Sequence, residues 1–138
     1  MKIIDFIACE DIRTEIHEKH TLVGVLPTDV NITFPKDGNV KWPVMFKISL
    51  FVRLKIERED IRPDYFEIDF VYNNSSISKL KGDFKMPDTI EYVNIAVSNV
   101  FTIPMDGILA FKLSLYSNKQ NVLDYIPEYK MKYNIAKQ

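Results

Sequence analysis

The most regular stretch of the chain, residues 44–56, alternates between apolar and polar positions. Its even positions are all apolar: Val44, Phe46, Ile48, Leu50, Val52, Leu54 and Ile56. Because successive side chains of a strand point to opposite faces, this pattern predicts a strand with one buried face. Seven apolar residues on one face are typical of the central strand of a sheet. Met45 and Phe51 interrupt the polar face, so we expect part of that face to be covered or to contact a partner.

The same period recurs in residues 66–72, 93–97, 109–116 and 129–135, and shorter β-rich runs occupy residues 3–8, 21–26 and 30–34. Turn-forming residues separate these runs, at Asp37-Gly38-Asn39, Asn73-Asn74-Ser75-Ser76, Asp106-Gly107 and residues 117–121. Short strands between regular turn signals predict a sandwich or a barrel. We therefore predict a single domain over residues 1–138, with an all-β fold. It would be a two-sheet, mainly antiparallel β-sandwich of about seven to nine strands.

Residues 10–19 are open to two interpretations. Ile12 and Ile16 have helical spacing, which would allow one or two turns of helix. The alternative is a connection between two hairpin strands, with Thr14-Glu15-Ile16 as a short strand. We favour the connection, because the rest of the chain has little helical periodicity.

Composition and charge exclude several classes of partner. The chain of 138 residues has a net charge of −1, which argues against a nucleic-acid partner and against docking on an anionic membrane. No apolar run approaches the roughly 18–20 residues of a membrane span. An acidic residue, Asp5, interrupts the first apolar run, unlike a signal peptide. The single cysteine, Cys9, suits a reducing compartment, so we expect a cytoplasmic protein.

A motif near the start of the chain supports a resemblance. Cys9-Glu10 is followed by a polar segment and then by Lys19-His20-Thr21-Leu22-Val23-Gly24-Val25. This pattern resembles a group of small, largely bacterial proteins of unknown function, and the stretch of residues 103–113 is similar to the same proteins. The resemblance implies a two-sheet β-sandwich. It implies no activity, and no functional residue is carried over from it.

Candidate catalytic and metal-binding residues are few. Glu10, Asp11, His17, Glu18 and His20 are the densest group of metal-ligand types, but on a strand His17 and His20 would point to opposite faces. Scattered aspartates, namely Asp37, Asp60, Asp64, Asp69 and Asp106, lack a calcium-binding spacing. Acidic neighbours would raise the pKa of Cys9, which we expect in the core rather than as a nucleophile. We therefore predict no cofactor, no metal and no enzymatic activity.

The remaining candidates are binding residues: Trp42, Met45, Phe51 and Val71. Trp42 is either an exposed anchor or, as we favour, a lid on the core. The other three are apolar on the polar faces of their strands and would mark an interface if exposed together. We expect a non-enzymatic binding or assembly module acting through a sheet face, a strand edge or end loops. Its partner would be a protein or a second copy of the chain.

Two alternatives stay open. The first is a small-ligand or carbohydrate-binding domain whose end loops form an aromatic-lined pocket, and the ligand in that case is unknown. The second is a metal-dependent hydrolase that uses His17, His20 and nearby carboxylates.

Overall fold

Ten strands and one short 3₁₀ helix make up most of the described residues of the computed structural model, which are 1–32, 43–85 and 87–135. The 3₁₀ helix is Ile16–Glu18, and no described helix is long and apolar enough to cross a membrane. The strands are β1 (Lys2–Thr14), β2 (His20–Val25), β3 (Asp29–Ile32), β4 (Val44–Lys55), β5 (Tyr65–Tyr72), β6 (Ser75–Asp83), β7 (Tyr92–Ile103), β8 (Gly107–Ser117), β9 (Gln120–Tyr125) and β10 (Met131–Ile135).

Backbone pairing divides these strands into two sheets. The first sheet has the order β2-β1-β4-β7 and is antiparallel throughout. The second sheet has the order β3-β10-β8-β5-β6, with β9 also paired to β8. Among the described pairs only β3 and β10 run parallel. The predicted all-β, mainly antiparallel sandwich is confirmed, with one strand more than the upper end of the expected range.

The core lies between the two sheets. Phe46 of the first sheet packs edge-on against Tyr133 of the second at 4.9 Å between centroids, and Phe101 packs against Phe70 at 5.2 Å. On the inner face of β4 the last five of the seven predicted apolar positions are buried, and the first two are half-buried. Since β4 pairs with β1 on one side and β7 on the other, the prediction of a central strand is also confirmed.

Two tight hairpins join strands of the second sheet. Asn73 and Asn74 connect β5 to β6 with positive φ angles of 49° and 67°. Asn118 and Lys119 connect β8 to β9 with positive φ angles of 48° and 66°. Two successive left-handed residues match the twist of the flanking strands, and Asn tolerates this conformation well. The predicted turn at Asn73-Asn74 is confirmed.

The segment of residues 10–19 connects two hairpin strands, as favoured, but its details differ from the prediction. Strand β1 continues through Glu10 to Thr14, so the expected short strand at residues 14–16 is wrong. The 3₁₀ turn occupies Ile16–Glu18 instead, with His17 in the left-handed region at φ 64°. Strands β6 and β9 were not predicted.

Candidate functional site

The three predicted binding residues that the structure describes do not form one exposed surface. Trp42 lies outside the described residues. Met45 is 69% exposed on the outer face of the first sheet, whereas Phe51 on the same face is only 7% exposed. Val71 is half-buried on the outer face of the second sheet, because its neighbours Phe70 and Tyr72 point into the core. Met45, Phe51 and Val71 are therefore not exposed together, which was the condition for an interface formed by these residues.

Phe51 is buried because the end of the β1–β2 hairpin folds back over the first sheet. Ile7 pairs with Phe51, and Thr14 pairs with His20. In a flat ladder those two pairs would lie about 23 Å apart along β1. The rings of His20 and Phe51 are nevertheless only 5.7 Å apart between centroids. The expected covering of part of the polar face is explained by this contact.

The residues under the hairpin form a small buried layer, which we call the covered patch: Cys9, Ser49 and Phe51. Cys9 and Ser49 are fully buried, and the Ser49 hydroxyl shares a 2.7 Å hydrogen bond with the hydroxyl of Ser98 on β7. The Cys9 thiol lies 3.4 Å from the carbonyl oxygen of Asp11 and 3.6 Å from that of Ser49. Burial raises the pKa of this thiol, whereas hydrogen bonds to the backbone of Asp11 and Val23 oppose the rise and the charge of Asp11 adds to it. The predicted burial of Cys9 is confirmed, in this layer on the outer face rather than between the two sheets.

The two histidines of the hairpin do not converge on a common ligand set. His17 lies in the 3₁₀ turn, and His20 packs on Phe51 with a buried Nδ1 that has no hydrogen-bond partner among the described residues. The Asp11 carboxylate lies 3.6 Å from the Lys47 ammonium group. Across residues 1–32, 43–85 and 87–135, no group of three or more His, Cys, Asp or Glu side chains has metal-site geometry.

The most distinctive surface is the outer edge of β7, which forms one end of the first sheet. All of its residues pair with β4, from Tyr92 opposite Lys55 to Ile103 opposite Val44, without a bulge. Just beyond this ladder the Ile56 amide donates to the Glu91 carbonyl at 2.7 Å. Hydrogen-bonded pairs alternate in an antiparallel ladder, so odd-numbered β7 residues bond to β4.

The even-numbered residues of β7 therefore direct their backbone groups away from β4. These residues are Tyr92, Asn94, Ala96, Ser98, Val100 and Thr102, and the side chains of all six are exposed. We call the row of their N–H and C=O groups the free edge of β7. Within the part of the chain that the structure describes, no strand pairs with it. Asn99 points inward and donates from Nδ2 to the Ser78 hydroxyl at 2.8 Å, so it leaves the free edge untouched.

Length together with the absence of charge distinguishes β7 from the other strands at sheet edges. It contains no charged residue, no proline and no glycine, whereas β6 carries Lys79, Lys81 and Asp83 together with a bulge. Edge strands β2 and β3 have only six and four residues. Charges, bulges and shortness are the usual means by which proteins prevent an edge from pairing with another chain. Among the described edge strands, β7 is the long strand that lacks charged residues and bulges.

A second feature is an open cleft of about 780 Å³ on the second sheet, which we call the aromatic cleft. The strand register aligns Asp83, Tyr65 and Tyr116 across β6, β5 and β8, and the two tyrosine rings are 5.8 Å apart between centroids. Desolvation raises the pKa of Tyr65, and the carboxylates of Glu67 and Asp83 add to the shift. The cleft is lined by Asp64, Tyr65, Glu67, Asp83, Phe84, Lys85, Tyr116, Asn118 and Lys119.

Sequence reasoning missed both features as sites, although the chain contains a signal for one of them. Residues 92–105 are the longest stretch without Asp, Glu, Lys or Arg, and such a stretch on an edge strand is a warning of intermolecular pairing. The aromatic cleft has no local signal, because Tyr65 and Tyr116 meet only through the pairing of β5 with β8.

Comparison with known proteins adds no family. A scan against protein-family models and a search of curated proteins each found no match to the chain. The resemblance carried by Cys9-Glu10 and residues 19–25 therefore stays a prediction.

Proposed function

We propose that the protein is a non-enzymatic binding or assembly module that accepts an extended protein strand along the free edge of β7. The observation that carries this proposal is the free edge itself, with six exposed, uncharged residues whose backbone groups point outward in register. Strand addition of this kind takes its affinity from main-chain hydrogen bonds and its specificity from alternate side chains.

The energetics favour an extended backbone as the occupant. Each strand hydrogen bond contributes about 0.5–1.5 kcal/mol net, so a partner must satisfy several of them together to bind stably. The edge lies beside Met45 and Val100, two exposed apolar side chains at diagonal positions of β4 and β7. Apolar contact there would add to the backbone bonds. The lone, buried Cys9 supports the further proposal of a cytoplasmic, reducing setting.

A selection experiment tests the proposal without knowledge of the natural partner. Random peptides of the length of β7, displayed on phage, are selected on the native protein, and the survivors are then tested for binding to Ala96→Pro. The Ala96 N–H belongs to the free edge, so proline removes one edge donor without removing a hydrogen bond to β4. We expect peptides that bind the native protein and bind the variant at least about tenfold more weakly.

Amide hydrogen exchange on the selected complexes locates the binding. Slower exchange at Asn94, Ala96, Ser98 and Val100 on peptide addition is the expected result. The proposal fails if no peptide survives selection, or if the selected peptides bind Ala96→Pro as tightly as the native chain.

The aromatic cleft supports a second candidate function, the binding of a carbohydrate or another small polar ligand. Sugar rings stack on aromatic faces. Carboxylates beside them accept hydrogen bonds from the sugar hydroxyl groups, and amides both donate and accept such bonds. NMR titration with a panel of mono- and oligosaccharides tests it, with Tyr65→Ala expected to abolish the shifts. Tyr92→Ala, at an exposed tyrosine of the other sheet, is the matched control. Shifts that persist in Tyr65→Ala would reject the cleft.

A further inference from the structure

We infer that the strand added to the free edge of β7 is β7 of a second copy of this chain, in an antiparallel pair about a twofold axis at Val97. The inference rests on the proposed function and names its partner. It would join two four-stranded sheets into one continuous eight-stranded sheet.

The register follows from the direction of the backbone groups. In an antiparallel pair, hydrogen-bonded residues must both direct their N–H and C=O groups toward the partner strand. Even-numbered residues of one β7 therefore pair only with even-numbered residues of the other. An axis at Val97 pairs all six even-numbered residues of each β7. Tyr92 pairs with Thr102, Asn94 with Val100 and Ala96 with Ser98, and the twofold axis produces each of these pairs twice. Shifting the axis to Ser98 leaves Tyr92 without a partner, because its counterpart would lie beyond Ile103.

The side chains that meet in this register are compatible. Because the pair is symmetric, any charged residue of β7 would be duplicated at the interface, and β7 has none. Val97 faces inward and is half-buried, so two copies of its side chain would meet on the axis and extend the core. Tyr92 opposite Thr102 is an aromatic and β-branched cross-strand pair, a combination that stabilises sheets.

In this dimer the nearest positive charges of the two copies lie far enough apart for salt to screen their repulsion. Lys47 of β4 lies opposite Val100, and Arg53 lies opposite Asn94, so the register places Lys47 of one copy in line with Arg53 of the other. Three strand spacings separate them, about 14 Å, which exceeds the roughly 8 Å screening length at physiological salt. A second copy of β7 therefore matches the free edge in length, in the direction of its backbone groups and in its lack of charge.

Sedimentation analysis of the native chain over a range of concentrations tests the dimer. We expect a monomer–dimer equilibrium, weakened at least about tenfold by Ala96→Pro and by Val100→Lys. Val25→Lys is the matched control, because Val25 is also an exposed valine of the first sheet but lies on β2, at the opposite edge. If Ala96→Pro does not fold, Val100→Lys carries the comparison alone. Equal weakening by Val25→Lys would mean that the association does not depend on the β7 edge, and would overturn the edge pairing.

Disulfide trapping tests the register. Hydrogen-bonded antiparallel residues have Cα atoms about 5.5 Å apart, within the range of a disulfide. In a Cys9→Ser background, a mixture of Asn94→Cys and Val100→Cys chains should form an intermolecular bond under mild oxidation. A mixture of Ala96→Cys and Val100→Cys should not, and its preferential crosslinking would place the axis at Ser98 and overturn the register.

Failure of this inference is distinguishable from failure of the proposed function. A native chain that stays monomeric at every concentration, yet binds selected peptides in a manner lost in Ala96→Pro, would show that the occupant is a different strand. A native chain that neither dimerises nor binds such peptides would overturn both.

Discussion

The rings of His20 and Phe51 lie 5.7 Å apart between centroids, although the two residues belong to strands separated by β1 and to distant register positions. The contact fastens the tip of the β1–β2 hairpin to the outer face of its own sheet. Its consequence is that the outer face of the first sheet is divided. The part containing Phe51 is closed, whereas the part containing Met45 and the free edge of β7 is open.

Phe51→Ala should destabilise the protein, whereas Met45→Ala should not. Removing a buried phenylalanine leaves a cavity and loses the hairpin contact, so we expect the free energy of unfolding to fall by about 3 kcal/mol. Met45 is exposed, and its substitution should change that energy by less than about 0.5 kcal/mol. Urea denaturation measures both. Equal effects of the two substitutions would show that the hairpin does not cover Phe51 in solution.

Gly24→Ala tests the bend of the hairpin. Gly24 has a φ of +64°, and an added Cβ atom would lie 2.8 Å from the side-chain carboxyl of Glu10. We expect a loss of about 1–3 kcal/mol in the free energy of unfolding, from backbone strain and from the close contact. Glu10→Ala in the same chain removes the contact but keeps the strain. It should therefore restore only part of the stability, and complete restoration would contradict the role of the backbone.

Local periodicity predicted the strands whose pattern is uninterrupted, and β4 is the clearest case. Strand β6 was missed because an extra residue at Ile77 shifts its phase. The register passes from Phe70 opposite Ser78 to Val71 opposite Ser76, so Ile77 and Leu80 both reach the core despite their odd spacing. The second half of β7 was missed because the polar Asn99 occupies an inner position, where it bonds to Ser78.

The site was less predictable than the fold, for a physical reason. Whether Phe51 is exposed depends on the fold-back of a hairpin whose bend involves Gly24 and Glu10, and no period in residues 44–56 carries that information. The free edge of β7 depends on which strand ends the sheet, which is a property of strand order. Composition indicated only that the stretch is uncharged.

The stability of the protein should fall in alkali because of buried tyrosines. Burial, aided by Asp106, raises the pKa of Tyr72 to about 12, so the folded state prefers the neutral phenol. This preference stabilises the folded state fully below about pH 10. As the pH rises toward 12 the stabilisation is lost, and the free energy of unfolding falls by about 1.4 kcal/mol per pH unit.

The Tyr72→Phe variant isolates the contribution of the Tyr72 phenol to the loss of stability in alkali. The variant loses the 2.5 Å hydrogen bond donated to the Met105 carbonyl, which should cost about 1 kcal/mol at neutral pH. It also loses the ionisable group, so its free energy of unfolding should fall less steeply between pH 10 and 12. Tyr92→Phe, at an exposed position, should keep the native slope. Parallel slopes for the native chain and Tyr72→Phe would contradict the raised pKa.

The thiol of Cys9 provides a measure of hairpin opening that is independent of global unfolding. It is fully buried beneath the hairpin and has a raised pKa, so labelling by a thiol reagent should be far slower in the folded protein than in urea. A labelling reaction that requires only the hairpin to lift should be faster than global unfolding predicts. Phe51→Ala should accelerate it strongly, because that substitution removes the contact with His20.

Ile68→Val is the matched control for this measurement, because Ile68 is fully buried in the second sheet and its loss of a methylene lowers global stability by about 1 kcal/mol. It leaves the hairpin contacts intact. We expect Ile68→Val to change Cys9 labelling little in native buffer, whereas Phe51→Ala increases the rate by more than its effect on global stability explains. If labelling follows global stability in both variants, the hairpin and the sandwich unfold as one unit. Phe51, although it lies on the outer face, would then be coupled energetically to the core between the two sheets.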